Sequence, residues 1–345
     1  MPRPLPLLTL AFTSLSACAG GGGGGTTGSN HVWVSDSRAD VIHGFSFDQL
    51  TSTGTPTPDV GIGTGATSQT YGSAMGPGHA LWVALPSQNL VARYTQAQLA
   101  TSGSPTPATT VAASFPDSVM FDHAGDLWVT RAGGAQTVTR FSRADVSGEG
   151  ALTPAAALTL GLPTTGGLAL TTLLDPAGHL WVVDKGDSSS VAPTFMRAPD
   201  SVFTSTGSVT LAPEVSISTS GQTYVQGAAF DAAGALWAAT LNDGGPLLVR
   251  YAPSALTTSG TKSPEGRFTI AGATSLGKIA FDAGGGLWIA DFTARKLFRL
   301  APSQLVGSGA LTLTPGVEIT APTAAGPGLT GLTFDPTPDG LPLAY

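Results

Sequence analysis

Cysteine is almost absent from this 345-residue chain, which has only Cys18, so no disulfide within it can support the fold. Charge is scarce as well. Asp, Glu, Lys and Arg make up 11% of residues, with 22 acidic against 15 basic and a net charge of −7. No Lys/Arg cluster occurs, which removes the electrostatic footprint that nucleic-acid binding requires. The one sustained apolar stretch near the amino terminus is too short to span a bilayer. Zinc-ligand spacing, a P-loop, a dinucleotide fingerprint and a nucleophile–base arrangement are all missing. In their place stand 46 Gly and 26 Pro alongside 41% hydrophobic residues. That balance is too apolar for a disordered chain and describes a folded, turn-rich protein.

Residues 1–17 have the order of an export signal: Arg3, an apolar stretch from Leu5 to Phe12, then small residues ahead of Cys18. Leu15-Ser16-Ala17-Cys18 resembles the lipobox of bacterial lipoproteins, which implies that Cys18 is acylated and becomes the first mature residue. Several acyl chains at about 0.8 kcal/mol per buried methylene would hold the protein on a membrane. Ala19 after the cysteine, rather than Asp, is similar to outer-membrane lipoproteins of double-membraned bacteria. Residues 18–29 contain Gly20 to Gly25 and read as a flexible tether of roughly 18 Å. Residues 30–345 read as one domain.

That domain repeats. Its six tryptophans, Trp33, Trp82, Trp128, Trp181, Trp237 and Trp288, recur at a period of about 50 residues, the sign of a β-propeller. The unit is clearest in Phe121-Asp122 to Trp128, Phe230-Asp231 to Trp237 and Phe281-Asp282 to Trp288, each a strand, an Asp/Gly turn and a strand. A third strand ends in Arg93, Arg140, Arg197, Arg250 or Arg299, with His43 in the matching place of the first repeat. A polar turn with one apolar residue follows (Leu50, Leu99, Val146, Phe203, Leu256, Leu305), then a Ser/Thr/Gly/Pro-rich linker and an outer strand. The expected fold is an all-β, six-bladed propeller with four strands per blade. Leu332-Thr333-Phe334-Asp335 supplies the inner strand that the first repeat lacks and closes the ring. A seven-bladed ring is the alternative, because Leu341-Pro342-Leu343 looks like the start of another Trp strand.

The phrase Phe-Asp-x-x-Gly-x-Leu-Trp resembles the repeat of bacterial NHL-type propellers, and is similar to those of gluconolactonase-like (senescence-marker type) and streptogramin-lyase-like propellers. The resemblance implies architecture far more than activity, since this fold hosts binding scaffolds, hydrolases and lyases alike. Residues that recur in every blade, such as the Trp, the turn Asp and the strand Arg, read as packing devices. Exceptions at the channel mouth read as functional.

The mouth should collect the starts of the inner strands and the loops after the Trp strands. The starts are Tyr71-Gly72, Pro116-Asp117-Ser118, Thr165-Gly166, Gln226-Gly227, Gly277-Lys278 and Thr330-Gly331. The ligand-binding candidates are therefore Asp36, Asp117, Asp184, Gln226, Asp243, Lys278 and Asp291. Pro116-Asp117 resembles part of the metal-binding phrase of gluconolactonase-like propellers, which makes Asp117 a candidate metal ligand. The Glu and Asn residues of that pattern are missing, and hard cations need several oxygens. For a lyase-type proton transfer, Glu149, Glu214, Glu265 and Glu318 fall in linkers or outer strands, and His79, His123 and His179 fall in turns at the opposite face. The expectation is a monomeric, membrane-anchored cell-envelope binding or scaffolding module without a cofactor, recognising a small molecule, glycan or protein. A divalent-metal-dependent lactonase is the alternative, and a streptogramin-lyase-like enzyme stands behind it.

Overall fold

The computed structural model describes residues 30–65, 69–131, 133, 136–163, 168–186, 191–242, 244–322 and 328–335. Alternating apolar residues and Gly/Asp turns drive the chain into six small, mostly antiparallel sheets, the blades of a six-bladed β-propeller. Cys18 and the Leu341-Pro342-Leu343 segment lie outside the described residues.

Blade 1 closes the ring as the sequence anticipates. Its inner strand is the carboxy-terminal Leu329–Asp335, paired antiparallel with His31–Asp36, then Val41–Ser46 and Val60–Gly63. The inner strands of blades 2 to 6 are Ser73–Gly76, Pro116–Phe121, Ala169–Leu174, Tyr224–Phe230 and Leu276–Phe281. No described helix is long and apolar enough to cross a membrane.

The core is divided among blade interfaces. Each of six hydrophobic clusters joins the Trp-bearing face of one blade to the next. Trp33, Ile42 and Ile62 of blade 1, for example, pack on Leu81, Val83 and Tyr94 of blade 2, and Trp288 of blade 6 packs on Val32 and Val34 of blade 1. All six Trp are buried, and truncating any one to Ala should cost about 3–5 kcal/mol.

The turn aspartates explain how these rings are held. Asp122, Asp175, Asp231 and Asp282 each accept the indole N–H of the Trp six residues on, at 2.8–3.0 Å, and each also accepts backbone N–H groups of its own turn. On the neighbouring strand, Arg93, Arg140, Arg250 and Arg299 lie over the facing indole at 5.6–6.0 Å from the ring centre. Blade 1 departs from the sequence alignment here. Gly44, not His43, stands opposite Trp33, and His43 faces Val34. A Cβ on Gly44 would lie 2.6 Å from the Trp33 ring, so the indole takes the space where other blades place an arginine stem.

Two further differences concern the outer half of each blade. The polar turns are single helical turns, and in blade 4 the residue they bury is Val202, whereas Phe203 meets Trp128 edge-on at 5.9 Å between ring centres. The linkers, moreover, are not merely connections. Gly150–Leu152, Gly207–Thr210, Gly260–Lys262 and Gly309–Leu313 each run parallel along the outer strand of the preceding blade. Single bridges from Gly103 to Ile62 and from Gly54 to Ile319 do the same at the other two interfaces. Every outer edge is thereby covered by the next repeat, which blunts the unpaired edges on which propellers could otherwise aggregate.

Candidate functional site

The inner strands are pleated, and five of them break register where they reach the mouth: around Asp117, Leu170, Gln226, Gly277-Lys278 and Thr330. Such irregularities re-aim side chains. Here the breaks fall at wall residues of blades 1, 3, 4, 5 and 6, and blade 2 completes the ring with Tyr71, just before its inner strand. Tyr71, Asp117, Leu170, Gln226, Gly277 and Thr330 form this ring, and together with Tyr224, Lys278, Phe292 and Leu329 they line a cavity of about 240 Å³. In blade 4 the described residue on the wall is Leu170; Thr165-Gly166 lie outside the described residues.

Close backbone approach makes the ring possible. A Cβ on Gly72 would sit 2.9 Å from the Asp117 carbonyl, and one on Gly227 would sit 2.4 Å from the Gly277 carbonyl. Glycine at these two places lets each inner strand press against the next. The Gly72 N–H donates to the Asp117 carbonyl at 2.9 Å.

The cavity's charges are poorly satisfied by the protein. Asp117 is buried, and among the described residues no ion pair or side-chain hydrogen bond reaches its carboxylate. Burial raises its pKa above the usual carboxylate range, against the pull of Lys278 and Lys185. Lys278 Nζ is buried without a hydrogen-bond partner among the described residues. Its own burial lowers the ammonium's pKa; Asp117 opposes that shift and Lys185 adds to it. Asp117 and Lys278 belong to blades 3 and 6, which stand opposite each other in a six-membered ring. Lys185 reaches in from blade 4, its ammonium 5.3 Å from the centre of the Tyr224 ring. Tyr71 holds its proton more tightly than a free tyrosine, chiefly through burial and then through the Asp117 charge.

Three sequence candidates are placed elsewhere. Asp36, Asp184 and Asp291 each follow their Trp by three residues, are buried, and do not line this cavity. Asp291 accepts from the N–H groups of Thr274, Ser275, Thr293 and Ala294 and from the Thr274 hydroxyl. Asp184 accepts from Leu168 and Gly186 N–H at 3.0 Å each. Asp36 accepts from Arg38 and Ala39 N–H and pairs with Arg295 of blade 6, locking the last blade to the first. Against the upward push of burial, His43 at 3.8 Å, the two turn N–H groups and Arg295 hold the Asp36 carboxyl below the usual range. Their common spacing from Trp was the available signal that these carboxylates clamp loops. Asp243 lies outside the described residues.

Sequence reasoning selected Asp117, Gln226 and Lys278 of this cavity and passed over Tyr71, Tyr224 and Phe292 as site residues. Counting would have found Tyr71. It lies four residues before Met75, as Asp117, Gln226 and Thr330 lie four before Phe121, Phe230 and Phe334.

The divalent metal implied by a gluconolactonase-like resemblance does not fit this donor set. Asp117 has two lysines as its charged neighbours, and the described residues hold no group of three or more His, Cys, Asp or Glu within reach of one ion. Below the polar mouth the channel turns apolar. A second cavity of about 300 Å³ is lined by residues such as Met75, Met120, Leu173, Phe230 and Phe281.

No protein-family profile matches the chain, and no curated protein matches it. Solved structures do. A protein of unknown function from Bacteroides caccae shares 12% identity over 89% of this chain and 98% of its own, with a TM-score of 0.56. Virginiamycin B lyase from Staphylococcus aureus shares 17% over 83% and 82%, with a TM-score of 0.50. A gluconolactonase candidate shares 16% over 86% of both chains, also at 0.50. At these identities the likeness carries the fold and leaves the NHL-repeat name unconfirmed. The chain is a β-propeller similar in fold to lyase-type and gluconolactonase-type propellers.

Proposed function

We propose that this protein is a binding propeller, exported and held at a bacterial membrane through acylated Cys18, that takes a small polar molecule at the channel mouth. The observation that carries this reading is the mouth cavity itself: the buried Asp117 and the half-buried Lys278, whose Nζ is buried, line it from opposite blades, and among the described residues neither makes an ion pair or a side-chain hydrogen bond. Burying a charge without a partner is expensive, and sites where such groups converge in a concave pocket are candidates for function. Tyr71 and Tyr224 add aromatic walls, and Gln226 adds a donor and an acceptor.

The test is saturation-transfer NMR on the full chain against a library of sugars, sugar acids, amino acids, amines and nucleosides. Binders should lose their signal in Asp117→Asn and keep it in His123→Ala, which alters the opposite face. Binding retained in Asp117→Asn would move the site elsewhere. Mass spectrometry of the membrane fraction should find the mature chain starting at an acylated Cys18, and Cys18→Ser should release it; an unmodified thiol would remove the anchor.

A further inference from the structure

The chemistry of the ligand can be narrowed, on the reading that the mouth cavity is a binding site. Its two charged walls have opposite signs. Asp117, from blade 3, presents a carboxylate that no protein donor satisfies among the described residues, and Lys278, from blade 6, carries an ammonium that no acceptor satisfies. The two attract each other without closing into an ion pair, because the channel axis lies between their blades. Lys185 adds a second positive charge beside them, but a neutral ligand would leave both groups without a charged contact, and a singly charged one would contact only one wall. Aromatic and apolar side chains (Tyr71, Tyr224, Phe292, Leu170) occupy the sectors between, and they suit an uncharged carbon chain and the face-on approach of a cation.

We propose that the mouth cavity binds a small zwitterion lying across the channel, its ammonium on Asp117 and its carboxylate on Lys278. Because the two groups stand on opposite blades, the ligand's charges belong at opposite ends of a short chain, as in an ω-amino acid, rather than on one carbon. The cavity, about 240 Å³, has room for a molecule of that class. The direction of both titration shifts agrees: burial disfavours the charged form of Asp117 and of Lys278 more than their mutual attraction favours it, and a bridging zwitterion would supply a counter-charge in contact with each.

The experiment is calorimetric titration of the full chain with glycine, β-alanine, 4-aminobutyrate and 6-aminohexanoate, with butyrate and butylamine as singly charged counterparts and glucose as a neutral probe. The expected result is binding that improves from glycine to the longer ω-amino acids, with butyrate and butylamine at least tenfold weaker than 4-aminobutyrate. Asp117→Asn should reduce 4-aminobutyrate to the level of butyrate, and Lys278→Met should reduce it to the level of butylamine; circular dichroism checks that both variants remain folded. Butyrate binding as tightly as 4-aminobutyrate would overturn the proposal and leave a lone anion site. Binding of glucose alone, lost in Asp117→Asn, would overturn it while keeping the binding-site reading. No binding by any probe would overturn the proposal, and failure of the wider library as well would take the binding-site reading with it. Zwitterion binding indifferent to both substitutions would also overturn it.

Discussion

Asp117 and Asp291 both lie near the mouth of one channel, and the protein treats their carboxylates in opposite ways. Asp291 is surrounded by four backbone N–H groups and a hydroxyl, and Asp36 and Asp184 are likewise filled by turns and, for Asp36, by Arg295. Asp117 receives no hydrogen bond or ion pair on its carboxylate among the described residues, only the more distant pull of Lys278 and Lys185, and lines the mouth cavity. The first arrangement spends a charge on holding loops in place, where charge-assisted hydrogen bonds are strongest. The second keeps a charge available at a cost in stability, the trade found at binding sites. Residue type and rough location are therefore insufficient to assign a role; what matters is whether the side chain's bonding capacity is already used.

The largest test of this contrast is Asp36→Ala. It would leave Arg295 buried without its carboxylate and two turn N–H groups without an acceptor, and should cost about 3–5 kcal/mol, read by urea unfolding. A loss near zero would mean the ring is not locked at this seam. Asp291→Ala should follow at about 2–3 kcal/mol, with the mouth cavity's binding changed only through stability.

Asp117→Asn should go the other way. Removing a buried, unsatisfied charge is expected to stabilise the fold by about 1 kcal/mol, seen as a rise in Tm at neutral pH, while ligand binding falls. Destabilisation by the same substitution would show that Asp117 is a hidden structural clamp and collapse the contrast.

The smallest effect is in the pH profile. Asp36, Asp175 and Asp282 have depressed pKa values in the folded protein, so their stabilisation is present above the ordinary carboxylate value and is lost as pH falls through the folded one. For Asp282 burial pushes upward, while Arg299, the Gly286 N–H and the Trp288 indole prevail. Asp117 is raised, so its contribution is present below the ordinary value and lost as pH climbs through the folded one. Unfolding curves from pH 2 to 8 should therefore flatten at the acid end in Asp282→Asn and at the higher end in Asp117→Asn. Equal flattening in both would contradict the assigned directions.

The repeat itself was legible because a propeller states its rules six times. Trp spacing, the Phe-Asp turn and the displaced Leu332-Thr333-Phe334-Asp335 segment predict six blades and their closure, all with short-range chemistry behind them: an indole N–H needs an acceptor, and Asp122, Asp175, Asp231 and Asp282 supply one from six residues away. Even Tyr71 was within reach of counting. The exceptions were harder. His43 and Gly44 differ by one residue in register, which a strand alignment without partners does not resolve, and the linkers gave no sign that Gly150–Leu152 or Gly309–Leu313 would pair with the preceding blade.

Sequence alone determined the architecture, since periodic patterns of burial and turn chemistry act over a few residues and repeat. Only the tertiary structure decided the site. Asp117 and Lys278 are 161 residues apart in the chain, and their confrontation depends on ring closure, on register breaks that turn them inward, and on which neighbouring carboxylates had already been used by the loops. Local patterns carry no information about that allocation, because a carboxylate's free valence is fixed by everything that folds around it.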